Sequence, residues 1–417
     1  MRRAFVAFSA AFALGAEIQA GKCIFTPSFQ LAFLVPQPEV LISDLKPTSH
    51  LIESNTTSLK AQFFSEYNSS RVQTSYGPFT APSSTQNNGM KDFQIGNITK
   101  PCTNCLITFM EAGLQYPNGT YANSNTGMWL HHTVLYNLNR SDAVCTKFPD
   151  RFFASGNERT PLNICVNGTQ KAGYFLNETD TITMLVELMN ETVEPRDAVV
   201  TITFEYIPTV PSGFDFVTPV WLDIGNCTTS DMPAQANTTF EYSSAPWTSD
   251  ISGQILDVAG HIHDGGTYIE VLQNNKMICN CSAAYGQSEG YIETGPMNMP
   301  MMNMDMAHIS SIASCPNDGT LKKGDTLGVT AHYNTSEYAL MMNDDGSLAP
   351  IMGISLLYIA IGGNLSTTPS ASGTASSTPS STAAGASSIA TNAASILNGA
   401  GMAGTGAILG LWALFGM

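Results

Sequence analysis

Apolar and polar residues alternate along this chain with the period of a β-strand, and that alternation constrains its fold more than any other feature. Val200, Ile202, Phe204 and Tyr206 are interleaved with Thr201, Thr203 and Glu205, which gives one apolar and one polar face. Ile182, Met184, Val186 and Leu188 repeat the pattern just upstream. The run from Ile351 to Ile361 is apolar nearly throughout, as a strand buried on both faces would be, although periodicity alone also admits a helix there. Prolines and glycines recur between such runs, and no long amphipathic segment carries good helix caps. The pattern predicts an all-β protein made of two antiparallel, jelly-roll-like β-sandwiches. The segment Pro208 to Pro219, which also holds Pro211 and Gly213, cannot continue a central strand. It divides a first sandwich over 21–210 from a second over 211–363.

The two ends read differently from the middle. Arg2 and Arg3 precede an apolar run from Ala4 to Leu14 and small residues at Ala16 and Ala20, the pattern of a secretory signal peptide over 1–20. Ser366 to Ala390 is a Ser/Thr/Ala tract with almost no large apolar residues, unable to bury a core, so 364–398 is expected to be an extended, O-glycosylated stalk. The apolar tail Ala407 to Met417 has roughly half the residues a spanning helix needs. Residues 399–417 are therefore expected to be the propeptide of a GPI anchor attached at Asn392 or Asn398; a disordered secreted tail is the plainer alternative.

Sequons stand at Asn55, Asn68, Asn97, Asn118, Asn139, Asn167, Asn177, Asn190, Asn226, Asn237, Asn280, Asn334 and Asn364, a density that argues for glycan-covered loops. These features place the chain at the extracellular face of the plasma membrane, held by a GPI lipid, or in the cell wall after transfer to a wall polymer. A net charge of −16 without any basic cluster excludes a nucleic-acid partner. Nine cysteines, Cys23, Cys102, Cys105, Cys145, Cys165, Cys227, Cys279, Cys281 and Cys315, should mostly form disulfides in an exported chain, and the odd number leaves one over. Cys102 and Cys105 form a CxxC without a second such pair, so a structural bridge is expected there rather than a redox or metal site.

Four of the seven histidines fall in two tight pairs, His131-His132 in WLHHTVLYN and His261-x-His263 in GHIHDGG. Residues i and i+2 on a strand project from one face, roughly 7 Å apart, so His261 and His263 can converge on one metal ion. Neighbouring residues point to opposite faces, so His131 and His132 can share a metal only if a bulge or a strand end turns one of them. Each pair is equally compatible with half-exposed strand histidines. Met297 to His308 reads MNMPMMNMDMAH and sets the thioethers of Met297, Met299, Met301, Met302, Met304 and Met306 beside an imidazole. That donor combination selects copper, above all Cu(I), though methionine is also adaptable packing material.

TGMWLHHTVLYN (Thr126 to Asn137), FFASGNERT (Phe152 to Thr160), VELMN (Val186 to Asn190), GHIHDGG (Gly260 to Gly266) and IMGISLLYI (Ile351 to Ile359) carry a family resemblance. From about Pro78 to Ile361 the chain resembles the stress-upregulated nodulin family and, more distantly, the copper type II, ascorbate-dependent monooxygenases such as peptidylglycine α-hydroxylating monooxygenase. The resemblance implies two copper sites. One would be held in the first sandwich by His131 and His132, with Met189 at the position where the monooxygenases have a third histidine. The other, where oxygen is activated, would be held by His261, His263 and Met352. The substrate side does not carry over: the arginine that holds the substrate carboxylate in the peptide-hydroxylating enzyme corresponds to Ala259, and a tyrosine near the methionine ligand corresponds to Leu356. Loss of that charged anchor argues against amidation of peptide C-termini.

Three functions follow from these residues. The first is a copper-dependent oxidoreductase in which electrons pass from one copper to the other. A second is a protein that captures or buffers copper without turnover, and a third is a stress-related surface glycoprotein whose histidines persist without a metal. An enzyme should present an open metal position to a cleft, whereas a storage protein should bury a saturated one. His308 and His332 are further candidate ligands, with His332 expected to face solvent, and His50 has no motif around it.

Overall fold

Strands are the only extended secondary structure among the described residues of the computed structural model, which are 54–293, 306–316, 319–343 and 345–362. The signal peptide, stalk and anchor segments, Cys23, His50, Met297 to Met304, Asn364, Asn392 and Asn398 lie outside the described residues. The first half supplies β1 (Ser54–Leu59), β2 (Ser70–Ala81), β3 (Met90–Ile95), β4 (Cys105–Gln115) and β5 (Met128–Ser141). It continues with β6 (Pro149–Gly156), β7 (Ala172–Leu176), β8 (Ile182–Asn190) and β9 (Arg196–Ile207). The second half begins with β10 (Asp215–Asp223), β11 (Thr239–Ser243), β12 (Trp247–Thr248), β13 (Gly253–Ile262), β14 (Gly266–Gln273) and β15 (Lys276–Tyr285). Its remaining strands are β16 (Ile292–Glu293), β17 (Met306–Ala307), β18 (Ile309–Ile312), β19 (Gly319–Leu321), β20 (Thr326–Asn334) and β21 (Gly353–Ala360).

A nine-stranded sheet, in the order β1-β2-β9-β4-β7-β10-β21-β13-β19, runs through both halves. A four-stranded sheet, β3-β8-β5-β6, faces its first part, and a sheet in the order β11-β20-β14-β15-β18 faces its second part. The alternation read from the sequence sets the faces: Ile182, Met184, Val186 and Leu188 of β8 and Val200, Ile202 and Phe204 of β9 all point into the first core. The pairing is antiparallel except where β10 lies parallel to β7, with Asp215 opposite Ala172. That pair joins the two halves, and the connection between β9 and β10 lies in the proline-rich segment.

β21 is the strand buried on both faces that its composition predicts. All eight residues are buried: Ile354, Leu356, Tyr358 and Ala360 belong to the first core, and Leu357 and Ile359 to the second. Tyr358 donates its hydroxyl proton to the carbonyl of Phe152 on β6 at 2.8 Å, so the second half's strands pack directly onto the four-stranded sheet of the first. That packing brings the ends of β5, β6 and β13 together.

Disulfides join Cys102 to Cys105, Cys145 to Cys227 and Cys279 to Cys315. Cys165 is a buried thiol, and Cys281 Sγ lies 3.4 Å from Cys279 Sγ. Asn55, Asn68, Asn97, Asn118, Asn139, Asn167, Asn226, Asn237 and Asn280 are exposed, and Asn177 and Asn334 are half-buried. Asn190 departs from the expectation of a glycan. It is fully buried, and its Nδ2 donates to the carbonyls of Pro82 at 2.8 Å and Glu194 at 2.7 Å, so this fold has no room for a sugar on that nitrogen.

Candidate metal centre

The condition set by the adjacent histidines is met in β5. Opposite β8, Leu130 pairs with Leu188 and His132 pairs with Glu187, which leaves His131 as the extra residue of a β-bulge. The bulge turns both rings to one side, with centroids 4.1 Å apart. Both Nδ1 atoms lie 2.6 Å from the same oxygen, Oε2 of Glu187.

His261 sits at the end of β13 and His263 just beyond it. His261 Nδ1 is 3.0 Å from Glu158 Oε1, and His263 Nδ1 is 3.0 Å from the carbonyl of Pro350. The Tyr333 hydroxyl braces this corner, accepting from the His263 backbone N–H at 3.2 Å and donating to the Met352 carbonyl at 2.6 Å. Space for His261 comes from Gly156, the last residue of β6. A Cβ there would lie 2.5 Å from His261 Cε1 and 2.4 Å from Glu158 Oε2.

The two pairs meet. His132 Nε2 is 3.1 Å from His261 Nε2 and 3.2 Å from His263 Nε2, and His131, His132 and His263 offer ligand atoms that all lie within 4.8 Å of one another. The structure thus differs from the two separate ligand sets expected from the sequence. Its physical cause is the docking of β13 and β21 on β6, which no local pattern encodes.

An acceptor on each Nδ1 assigns the ring proton to that nitrogen and leaves Nε2 with a lone pair. Burial, with His131 and His261 beside it, lowers the pKa of His132 to about 4 against the pull of Glu187, so the ring is neutral near pH 7. Burial and the neighbouring imidazoles likewise hold His263 well below 6.5. Burial works to raise the Glu187 carboxyl, but the bonds from His131 and His132 outweigh it and keep Glu187 ionised well below the usual carboxylate range. The neutral rings of His132 and His263 therefore bring unprotonated Nε2 atoms to 3.2 Å from each other, with His261 Nε2 3.1 Å from that of His132. Their separations are those of nitrogens sharing one ion at roughly 2.0–2.1 Å, the metal–imidazole length seen for zinc. The donor set fits a soft-to-borderline cation such as copper, and the carboxylates behind it are the supports such ligands use.

Of the other expected residues, Met189 lies opposite Trp129, two residues along β8 from Glu187 and hence on the same face. Met352 packs at the edge of the first core. Ala259 and Leu356 are cross-strand partners, both buried, so the positions that would have clamped a substrate carboxylate form an apolar contact instead. His308 is buried, with Nδ1 2.6 Å from Asp264 Oδ2 and its ring edge-on to Trp129. His332 stacks on Tyr268 between Glu241 and Glu270, its side chain 18% exposed. Sequence reasoning missed Glu187 and Glu158. Both stand inside motifs quoted for the resemblance, and Glu187's alternation with Met189 on β8 was the available signal.

A space of about 310 Å³, counting what is open to solvent, borders His131, His261 and His263. Trp129, Ile262, Ile309 and Met341 form its apolar wall.

No family model matches the chain. A probable copper-dependent oxygenase of Phoma sp. is 36% identical over 327 residues, spanning 78% of this chain and 80% of the relative. A probable copper-dependent oxygenase of Cochliobolus lunatus is 37% identical over 255 residues, 61% of this chain and 79% of the relative. These relatives bear out the copper-oxygenase side of the resemblance and not its nodulin side. Among solved structures, PNGase F, a glycosylasparaginase from Flavobacterium meningosepticum, is 10% identical across 74% of this chain and 96% of its own, with a TM-score of 0.32, a likeness that carries no argument.

Proposed function

Because this chain belongs to the family of the probable copper-dependent oxygenases, we propose that it is a copper-dependent oxidoreductase whose metal is held by His131, His132, His261 and His263. The observation that carries this proposal is the approach of His132 Nε2 to 3.1 Å from His261 Nε2 and 3.2 Å from His263 Nε2, in rings backed by Glu187, Glu158 and the Pro350 carbonyl. When bound there, copper supplies one-electron chemistry with dioxygen. The chain's own part is to fix and orient the ligands. Glu187 locks two rings with one oxygen, Glu158 aims His261, and Tyr333 ties His263 to the backbone of Met352. Trp129, Ile262, Ile309 and Met341 give the space beside the rings an apolar wall.

The finer likeness to ascorbate-dependent monooxygenases rests on the order of the motifs, and the buried Ala259–Leu356 pair argues for a substrate other than a peptide C-terminus. Three disulfides and the exposed sequons support an oxidising, extracellular location, with GPI anchoring proposed from the C-terminal pattern. Copper-loaded protein supplied with ascorbate is expected to consume dioxygen, and His263→Ala to abolish that uptake. Tight copper binding without any uptake would favour copper buffering.

A further inference from the structure

The four residues after β6 hold a concentration of unmet polar groups. Asn157 Nδ2 and Oδ1, Arg159 Nε and Nη1 and Thr160 Oγ1 account for five of the eleven buried side-chain polar atoms without a hydrogen-bond partner among the described residues. Native interiors leave few such atoms, and each calls for a cause. Glu158, in their midst, is explained by His261. Nothing in the metal centre explains Arg159.

Arg159 is only 8% exposed; its Nη2 donates to the Ala122 carbonyl at 2.7 Å and its side chain interacts with Tyr121, while Nε and Nη1 have no hydrogen-bond partner. Its neighbouring anion is Glu158, a carboxylate already shared with His261, so the buried cation is only partly compensated. Its backbone lies in the left-handed region, φ 51°, which a long side chain seldom adopts. The same residue lines a cleft of about 910 Å³, counting space open to solvent, together with Glu158, Tyr121, Tyr291, Glu111 and Thr203. The two carboxylates there are engaged elsewhere: Glu158 with His261, and Glu111 3.8 Å from Arg71. The Tyr121 ring lies 4.9 Å from the guanidinium carbon and is itself 56% exposed.

We propose that Arg159 receives the oxyanion of a small organic acid, a carboxylate or enediolate, in this cleft, with Tyr121 as the cover that turns aside to admit it. A planar guanidinium with open N–H groups is the side chain best matched to such an anion. The bound anion would occupy the Nε and Nη1 donors left without partners. It would also sit one residue from the carboxylate that aims His261. That the site serves oxygen chemistry rests on the copper reading above; the anion site itself does not.

Calorimetric titration of the copper-free full chain with ascorbate and with succinate tests this, with copper retention measured on separate copper-loaded samples of the same variants. Wild type is expected to bind at least one probe. Arg159→Met should weaken that binding tenfold or more with copper content unchanged, and Arg159→Lys should restore part of it. Binding of ascorbate alone would identify a reductant site, and competition by succinate a general carboxylate site; either outcome supports the proposal. Tyr121→Ala, which keeps the arginine, should tighten binding several-fold and carries the test if Arg159→Met fails to fold. Absence of binding to wild type, or binding unchanged in the Arg159 and Tyr121 variants, would overturn the proposal. Anion binding lost with Arg159 in a protein that retains no copper would sink the metal assignment and leave this one standing.

Discussion

Single residues decide the geometry of the metal centre through what they leave out as much as through what they supply. Gly156 has no need of a left-handed backbone; its role is space, because any Cβ would press on both His261 and Glu158. Gly156→Ala is therefore expected to displace the His261–Glu158 pair and weaken copper binding roughly 10–100-fold, the range for loss of a ligand's support. Copper competition against a chelator, with the thermal midpoint as a control for folding, checks this; unchanged affinity in a well-folded variant would contradict it. The residues that hold the rings, Glu187 and Glu158, were visible in VELMN and GNERT, but sequence alone ranks a carboxylate on a strand as surface. Only the bulge at His131 and the approach of His261 give them their task.

At the scale of elements, much was legible where one strand's own pattern decides its environment. The alternation in β8 and β9 picks out the residues that face the first core, although Thr201, Thr203 and Glu205 on the other face of β9 are buried as well, and the continuous apolar run of β21 corresponds to two-sided burial. The meeting of β5 with β13 was not legible, because it depends on which sheet faces which, and that follows from long-range packing such as Tyr358 against Phe152. The disulfides show the same division. Cys102 and Cys105 could be paired from spacing, whereas Cys145 and Cys227, 82 residues apart, could not. This long bridge staples the β5–β6 connection to the segment after β10. Replacing both cysteines with serine is expected to cost roughly 2–5 kcal/mol of stability, read as a lowered denaturant midpoint. A midpoint unchanged within error would show that packing alone fixes the joint.

At the scale of the molecule, the pH response of the copper-free protein follows from a buried group that keeps its proton. Burial opposes charge on His308, but its bond to Asp264 and the nearby Glu293 outweigh that and raise its pKa to about 9. A raised folded-state pKa contributes stability that is complete below the unfolded value of about 6.5 and is lost as pH climbs through about 9. Thermal midpoints should therefore fall between pH 7 and 9, by a total on the order of 3 kcal/mol in stability, and His308→Gln should flatten that slope. A slope that survives the substitution would assign the loss to another group.

The proposed metal centre is assembled by both halves of the chain, because His132 lies 3.1–3.2 Å from both His261 and His263. Copper per chain, measured by mass spectrometry, tests it directly in two double variants, His131→Ala/His132→Ala and His261→Ala/His263→Ala. The shared centre predicts that either variant loses all the copper that wild type retains. Two independent sites would leave each variant with about half, and that result would contradict the account.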